Sequence, residues 1–420
     1  MPSSTLLQLA ARGRQDAYLT SNPQFTFYKN VYRRYTNFAI ESIPIEFDGT
    51  PDFGKRISTI IPRKADLLSA LFLEVDLPAL PPDTSTNPDT NYYWVNDIGH
   101  ALIENISIEI GDKEIDKHTG EWLQIWSELI TPLDKRAGLD QMIGHWAVYP
   151  EPESAGPLRL TIPLRFWFCN TIGAALPLIA LQAHPVRLII HLRKFQELWW
   201  SADKKDPATQ CTQINPVSIT RLQLFGDYIF LDDDERRRFA VAEHEYLIDQ
   251  LQYSPVQSIP PNSNTVNVPL VFNNCVKEFI WVLQEKRMQK AREWFNFGTA
   301  LTADNGEAIP QVDLMNSAII RLDGYDRFYE RYAQYFRNTQ AYQYHTVIPR
   351  SFIYLYSFSL KPEDKQPSGS INCSKIDDIT LSMTLNTTVG IAEERLVMVY
   401  ATNYNILRIV GGLGGLAFIA

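Results

Sequence analysis

The sequence predicts an all-β chain made of two copies of one antiparallel sandwich domain. Three observations carry that expectation: four blocks recur in the same order, short runs alternate apolar and polar residues, and proline-bearing loops separate the runs. The 420 residues also exceed what one hydrophobic core usually supports, whereas two domains of about 200 residues fit the scaling.

The recurrence is specific. Arg33, Arg34 and Tyr35, followed by Glu41 and Ile43, return as Arg237, Arg238 and Phe239, followed by Glu245 and Leu247, at an offset of 204. Leu71–Leu73 returns as Phe279–Trp281 at 208, and Ile106–Ile110 as Ala318–Leu322 at 212. Val186–Leu192 returns as Ile379–Leu385 at 193, so the first copy carries 19 more residues between its last two blocks. Insertions in connecting loops have that effect, and chance similarity would not preserve the order. Arg221–Phe225 resembles Arg395–Val399, which marks the closing strand of each copy. The break between copies is read near Trp200–Pro216, where 203–210 is polar and rich in breakers. The second domain then starts near Leu231. The expected division is an arm at 1–24, a first domain at 25–230 including that linker, and a second at 231–420.

Along the chain, residues 5–16 read as one short amphipathic helix with Leu6, Leu7, Leu9 and Ala10 as its stripe. Strands follow wherever alternation has period two. Ile106, Ile108 and Ile110 form one face, Val186, Leu188, Ile190 and Leu192 another, and Ile379, Leu381, Met383 and Leu385 a third. Gly111-Asp112 and Asp323-Gly324 are two-residue hairpin turns, because such turns demand positive φ. Helices are few: one from Trp122 to Ile130, and one opened by Asp232–Glu235, whose acids suit a helix start as Arg236–Arg238 suit its later turns. The glycines at 411–415 lack the Lys-Ser/Thr of a phosphate loop and read as a flexible or closely packed tail.

Composition narrows the function. Apolar content of 45% and charged content of 21% describe a globular chain, and a net charge of −9 argues against coating nucleic acid. Cys169, Cys211, Cys275 and Cys373 form no C-x-x-C pair and read as small buried hydrophobes in a reducing compartment. The first residues lack the basic and apolar regions of a signal peptide, and Ile409–Ala420 is too short to cross a bilayer as a helix.

No catalytic, cofactor-binding or metal-binding residue is predicted. His100, His118, His145, His184, His191, His244 and His345 are scattered without an H-x-H or H-E-x-x-H pattern and read as structural. Glu104 is expected on the same strand side as Ile106 and Glu109 on the other, so they do not form a paired acid and base. Asp232–Asp234 is explained by a helix start, and the sequons at Asn105, Asn372 and Asn386 read as unused. The clusters Tyr32–Tyr35 and Arg236–Phe239 could stack bases, yet arginine and aromatics serve subunit contacts equally well. What remains is an aromatic load of 9 Trp, 20 Tyr and 21 Phe, densest at Tyr325–Tyr344. That surplus favours a self-assembling protein, with the band expected at a subunit contact.

Several long runs resemble one family closely. Leu6–Lys29, Tyr32–Ile43, Pro163–Asn170 and Ala175–Gln182 are similar to the major capsid proteins of nucleocytoplasmic large DNA viruses. So are Asp234–Phe239, His244–Ile248, Tyr356–Ser370, Asn403–Ile409 and Gly414–Phe418, which together span essentially the whole chain. The tail departs from the family at Val410–Gly414, where methionines are commoner, and the chain is short, which implies compact outer loops. The resemblance implies two consecutive eight-stranded jelly rolls, and three chains forming a pseudo-hexagonal capsomer that tiles an icosahedral shell. It implies an N-terminal arm, with its Leu6–Arg14 helix, against minor capsid proteins beneath the shell. Neighbouring capsomers are further partners, nucleic acid is not a direct one, and an inner membrane lies nearby. Assembly is expected in host cytoplasm. The alternatives are a minor capsid paralogue of the same fold and a carbohydrate-binding jelly-roll module.

Overall fold

The computed structural model describes residues 3–81, 92–146, 155–201, 216–299, 311–388 and 394–418. The expected linker at 203–210 and Cys211 lie outside these residues. The chain divides into two units, Met1–Asn37 and Phe38–Ala420. In the first, the single helix expected over 5–16 is two: α1, Ser3–Ala10, and α2, Arg14–Thr20. The cause is Gly13, which takes an extended ψ and donates its N–H to Asp16 Oδ2 at 2.9 Å, so the chain restarts there.

In the larger unit sixteen principal strands build two sandwiches. The first uses β1 (Phe38–Ile45), β2 (Arg56–Ile60), β3 (Leu67–Leu77), β4 (Ile103–Ile110), β5 (Lys113–Thr119), β6 (Leu158–Pro163), β7 (Val186–Leu192) and β8 (Arg221–Leu231). The second uses β9 (His244–Tyr253), β10 (Thr265–Leu270), β11 (Cys275–Glu285), β12 (Met315–Leu322), β13 (Tyr325–Asp326), β14 (Ile353–Ser357), β15 (Ile379–Leu385) and β16 (Arg395–Val410). The first pairs β1-β8-β3-β6 in one sheet and β2-β7-β4-β5 in the other. The second repeats this as β9-β16-β11-β14 and β10-β15-β12-β13. Every pairing is antiparallel, and the order is that of a jelly roll.

The repeat holds to the residue in one place. Ile106 pairs with Ile190 and Ile108 with Leu188. Their counterparts in the second copy, Ala318 with Met383 and Ile320 with Leu381, pair in the same register. The period-two faces point inward as expected: Ile379, Leu381, Met383 and Leu385 are all buried. Both predicted turns carry positive φ at both residues: 58° and 61° at Gly111 and Asp112, 47° and 80° at Asp323 and Gly324.

The repeat fails in two places. The arginine block has no regular secondary structure in the first copy but lies within helix α5 (Asp233–Val241) in the second. Beyond it, Glu41 faces Tyr228 whereas Glu245 faces Arg408, far along the longer β16. A bulge also overturns one expectation in β4. Ile103 and Asn105 pair with consecutive residues of β7, so Glu104 is the extra residue and is exposed while Ile106 is buried.

The extra length of the first copy carries α3 (Gly120–Ile130) and α4 (Leu133–Ile143) between β5 and β6. Helix α3 does not serve its own sandwich alone. Leu123 enters the first core, but Trp122, Ile125, Trp126 and Leu129 belong to the second. Their spacing is one helical stripe. Trp122 meets Tyr400 of β16 at 5.4 Å between ring centroids. In return Ile248, Leu407 and Ile409 of the second copy are buried in the first core. The two cores therefore interlock.

Replacing both Trp122 and Trp126 by Ala is expected to destabilise by more than the ~3–5 kcal/mol of one buried Trp. It should also convert a single thermal transition into two, read by calorimetry. One unshifted transition in the double variant would show that the stripe does not couple the sandwiches.

The junction and the candidate assembly surfaces

Around the apolar stripe stands a frame of buried polar contacts. Helix α3 starts where Thr119 Oγ1 accepts the Trp122 N–H at 3.2 Å. Its first residue must be glycine, because a Cβ on Gly120 would lie 2.4 Å from the carbonyl oxygens of His100 and Ile103. Further along, the Glu128 carboxylate accepts the backbone N–H groups of Arg350 and Ser351 at 3.1 and 3.0 Å, and the Ser351 hydroxyl at 2.8 Å. Val347 N–H donates to the Leu129 carbonyl at 3.0 Å. Asp140 of α4 accepts from Arg136 at 2.9 Å and from Arg350 of the other copy at 3.4 Å. On the other flank Asp116 takes the Leu251 N–H at 3.0 Å, and Gln250 donates to the Ile115 carbonyl.

A second frame lies within the second sandwich, at the bulge where β11 shifts register between Val276 and Glu278. Lys277 is buried, with its ammonium 3.0 Å from Asp249 and 2.8 Å from the Pro362 carbonyl. Glu278 is 2.7 Å from His345 Nε2, and Glu363 is 2.9 Å from Nδ1. These contacts fasten the 358–368 loop and the segment after α6 (Gln340–Tyr344) to the sheet. Burial opposes the imidazolium of His345, but the two carboxylates outweigh it and raise its pKa to about 9. Burial likewise opposes the charged forms of Asp249 and Glu363. Lys277 and Lys365 nevertheless hold Asp249 below its usual range, and bonds from His345 and Thr346 do the same for Glu363.

Three other histidines are held by polar neighbours. Burial takes His100 down to about 4, keeping it neutral against Gln124 at 2.7 Å. His145 leans on Asp97 at 3.0 Å, and His184 on the Gly414 carbonyl at 3.0 Å. Burial pushes the thiols of Cys169 and Cys373 up to about 12, which leaves them unreactive. Asp232 caps α5 through the Asp233 N–H at 2.9 Å. Among the described residues no group of three or more His, Cys, Asp or Glu could hold a metal, and no helix is long and apolar enough to cross a membrane. The glycine tail is closely packed: Gly411 and Gly412 turn the chain, Leu413–Leu416 pairs back on β16, and the Gly412 carbonyl accepts from Ala183 at 3.0 Å.

The aromatic band at Tyr325–Tyr344 divides. Phe336 is wholly buried against Trp281, 5.2 Å between centroids, so it belongs to the core and not to a subunit contact. Tyr325, Tyr329, Tyr332 and Tyr342 are each more than three-quarters exposed. In the smaller unit Leu6, Leu7 and Leu9 of α1 are exposed, as are Phe27, Tyr28, Tyr32 and Tyr35.

The His345 clamp sets a pH signature. A histidine raised from 6.5 to about 9 contributes fully below 6.5, and its contribution fades as pH rises to about 9. Glu363, lowered from 4.5, loses its contribution as pH falls below that value. The melting temperatures of wild type and His345→Gln should differ most near about pH 6 and converge toward about pH 9. A gap constant across that range would remove the charged clamp.

Two family models match, "Major capsid protein N-terminus" over residues 26–232 and "Large eukaryotic DNA virus major capsid protein" over 235–415. The major capsid protein of Phaeocystis pouchetii virus is 35% identical, covering 98% of this chain and 99% of its own. That of Pyramimonas orientalis virus is 37% identical, with 98% of each covered. Among solved structures, the PBCV-1 virus capsid superposes with a TM-score of 0.78 at 32% identity over 94% of this chain and all of that one. The Faustovirus major capsid protein shares the fold at TM-score 0.73 and 13% identity, over 97% and 96% of the two chains. With two jelly rolls on one chain and relatives matched end to end, this protein belongs to the major capsid protein family of large eukaryotic DNA viruses, structural proteins of the virion and not enzymes.

Proposed function

We propose that three copies of this chain form a capsomer of pseudo-hexagonal outline, and that such capsomers tile an icosahedral shell. The observation that carries the reading is the duplicated sandwich: two like sandwiches per chain become six around a threefold axis. The interlocked cores support it, because a tile needs its two halves held as one body. The exposed tyrosines Tyr325, Tyr329, Tyr332 and Tyr342 are offered as part of the contact between chains or capsomers.

The division into an arm at 1–24 and domains at 25–230 and 231–420 belongs to this proposal. In it the arm engages minor capsid proteins beneath the shell through the apolar residues of α1, near an inner membrane. Assembly takes place in host cytoplasm. The net charge of −9 fits a shell that leaves the nucleic acid to other proteins. The reading assigns no catalytic, cofactor-binding or metal-binding residue.

Light scattering after size exclusion tests the first step. The expected species has about three times the chain mass of 48.2 kDa, and a persistent monomer would overturn the capsomer. Tyr329→Asp with Tyr332→Asp should lower the trimer yield or block association of trimers while leaving the melting temperature unchanged. Normal assembly of that variant would remove the tyrosines from any contact. Deleting residues 1–20 should leave trimers intact and prevent shell formation, and normal shells would end the role given to the arm.

A further inference from the structure

Where the α3–α4 segment of the first copy meets the 292–296 loop and Arg350 of the second, the surface opens into a cleft of about 210 Å³. It lies below the ~300–1,000 Å³ of pockets that take drug-sized molecules, so its natural occupant is a single ring. Its aromatic surface comes from Trp200, Trp294 and Phe295. Trp294 is pinned: its Nε1–H donates to the Glu197 carbonyl at 3.0 Å, and the Arg193 guanidinium stacks 3.8 Å from the ring centroid. A platform already fixed loses little entropy when a ligand settles on it.

The charges lining the cleft are largely spent on each other. Asp97 holds His145 at 3.0 Å, and Asp140 behind the wall holds both Arg136 and Arg350, at 2.9 and 3.4 Å. Glu128 is occupied by Arg350 N–H and by Ser351. An ionic ligand would have to compete with those pairs. Hydrogen-bond acceptors remain at the rim. Glu293 accepts from the Asn296 amide through Oε2 at 2.6 Å and keeps its other oxygen, and the Gln311 amide nitrogen donates to the Thr299 carbonyl at 2.8 Å and to Asn296 Oδ1 at 3.4 Å, which leaves its oxygen. Carboxylate and carboxamide beside aromatic rings are the groups that recognise a ring with one apolar face and a belt of hydroxyls.

We propose that this cleft binds one neutral pyranose sugar, with its apolar face on the aromatic wall and its hydroxyls on Glu293 and Gln311. The site is made by both copies, so occupancy spans the junction. It does not depend on how many chains assemble.

Saturation-transfer NMR on the purified full chain tests it, with methyl glucoside, methyl mannoside and methyl galactoside as probes and glucuronate as the charged comparison. At least one neutral glycoside should bind with a Kd on the order of millimolar. Gln311→Ala, an exposed side chain, should weaken it about tenfold with the melting temperature unchanged. Glu293→Gln, which keeps the shape, should also weaken it. Failure of all three glycosides to bind saturably would overturn the proposal. So would binding that survives both substitutions, or a preference for glucuronate over every neutral ring.

Discussion

The joining of the two sandwiches into one body depends on a stripe of four side chains that serve the neighbouring core. Trp122, Ile125, Trp126 and Leu129 stand on a helix inserted into the first jelly roll, yet they are buried in the second. Each such residue contributes about 1.5–3 kcal/mol on burial, so the stripe is worth on the order of 6–12 kcal/mol before entropy is counted. Separate motion of the two sandwiches would return those side chains to water.

Apolar burial sets the strength of the junction but not its angle. The buried polar frame supplies that. Glu128 reads two consecutive backbone N–H groups and one hydroxyl, an arrangement that a small slide of α3 would break. Breaking it would leave the buried carboxylate with only the Gln124 amide of its own helix, at 3.3 Å, which is more costly than losing an exposed ion pair. Asp116 does the same at the opposite flank with Leu251 and His118. For a protein whose activity is its shape, such contacts exchange some stability for a single geometry. The Lys277 and His345 clamps extend the same logic to the 358–368 loop, which has almost no secondary structure of its own.

The strands were legible in the sequence because their signal is local. Alternation at Ile379–Leu385 and paired turn residues at 111–112 and 323–324 report burial and φ directly, and the blocks that align between the copies pair in one register in both sandwiches. Helix α3 was legible as a helix, but nothing in its period says which core it serves. A hint lay in the mismatch between copies, since the inserted residues needed a partner outside their own sandwich. Glu104 was misplaced because a bulge breaks period two without leaving a mark in composition, and the break at Gly13 was hidden inside an otherwise helical pattern. The buried ions were missed for a related reason. Lys277, Glu278 and His345 look like ordinary surface residues until folding brings 85 residues of separation at Lys277–Pro362 down to a hydrogen bond.

The aromatic surplus shows where composition stops being informative. The surplus favours subunit contact in the sequence, and part of it, Tyr329 and Tyr332 among others, stands in solvent. Much of the rest is consumed inside the chain, in Trp281 against Phe336 and in Trp122 against Tyr400. A junction between two covalently joined sandwiches and an interface between two chains desolvate the same rings by the same physics. Composition counts both alike. Only burial separates them, and it assigns the deep phenylalanine and tryptophans to holding one chain together, while Tyr325, Tyr329, Tyr332 and Tyr342 stay in solvent.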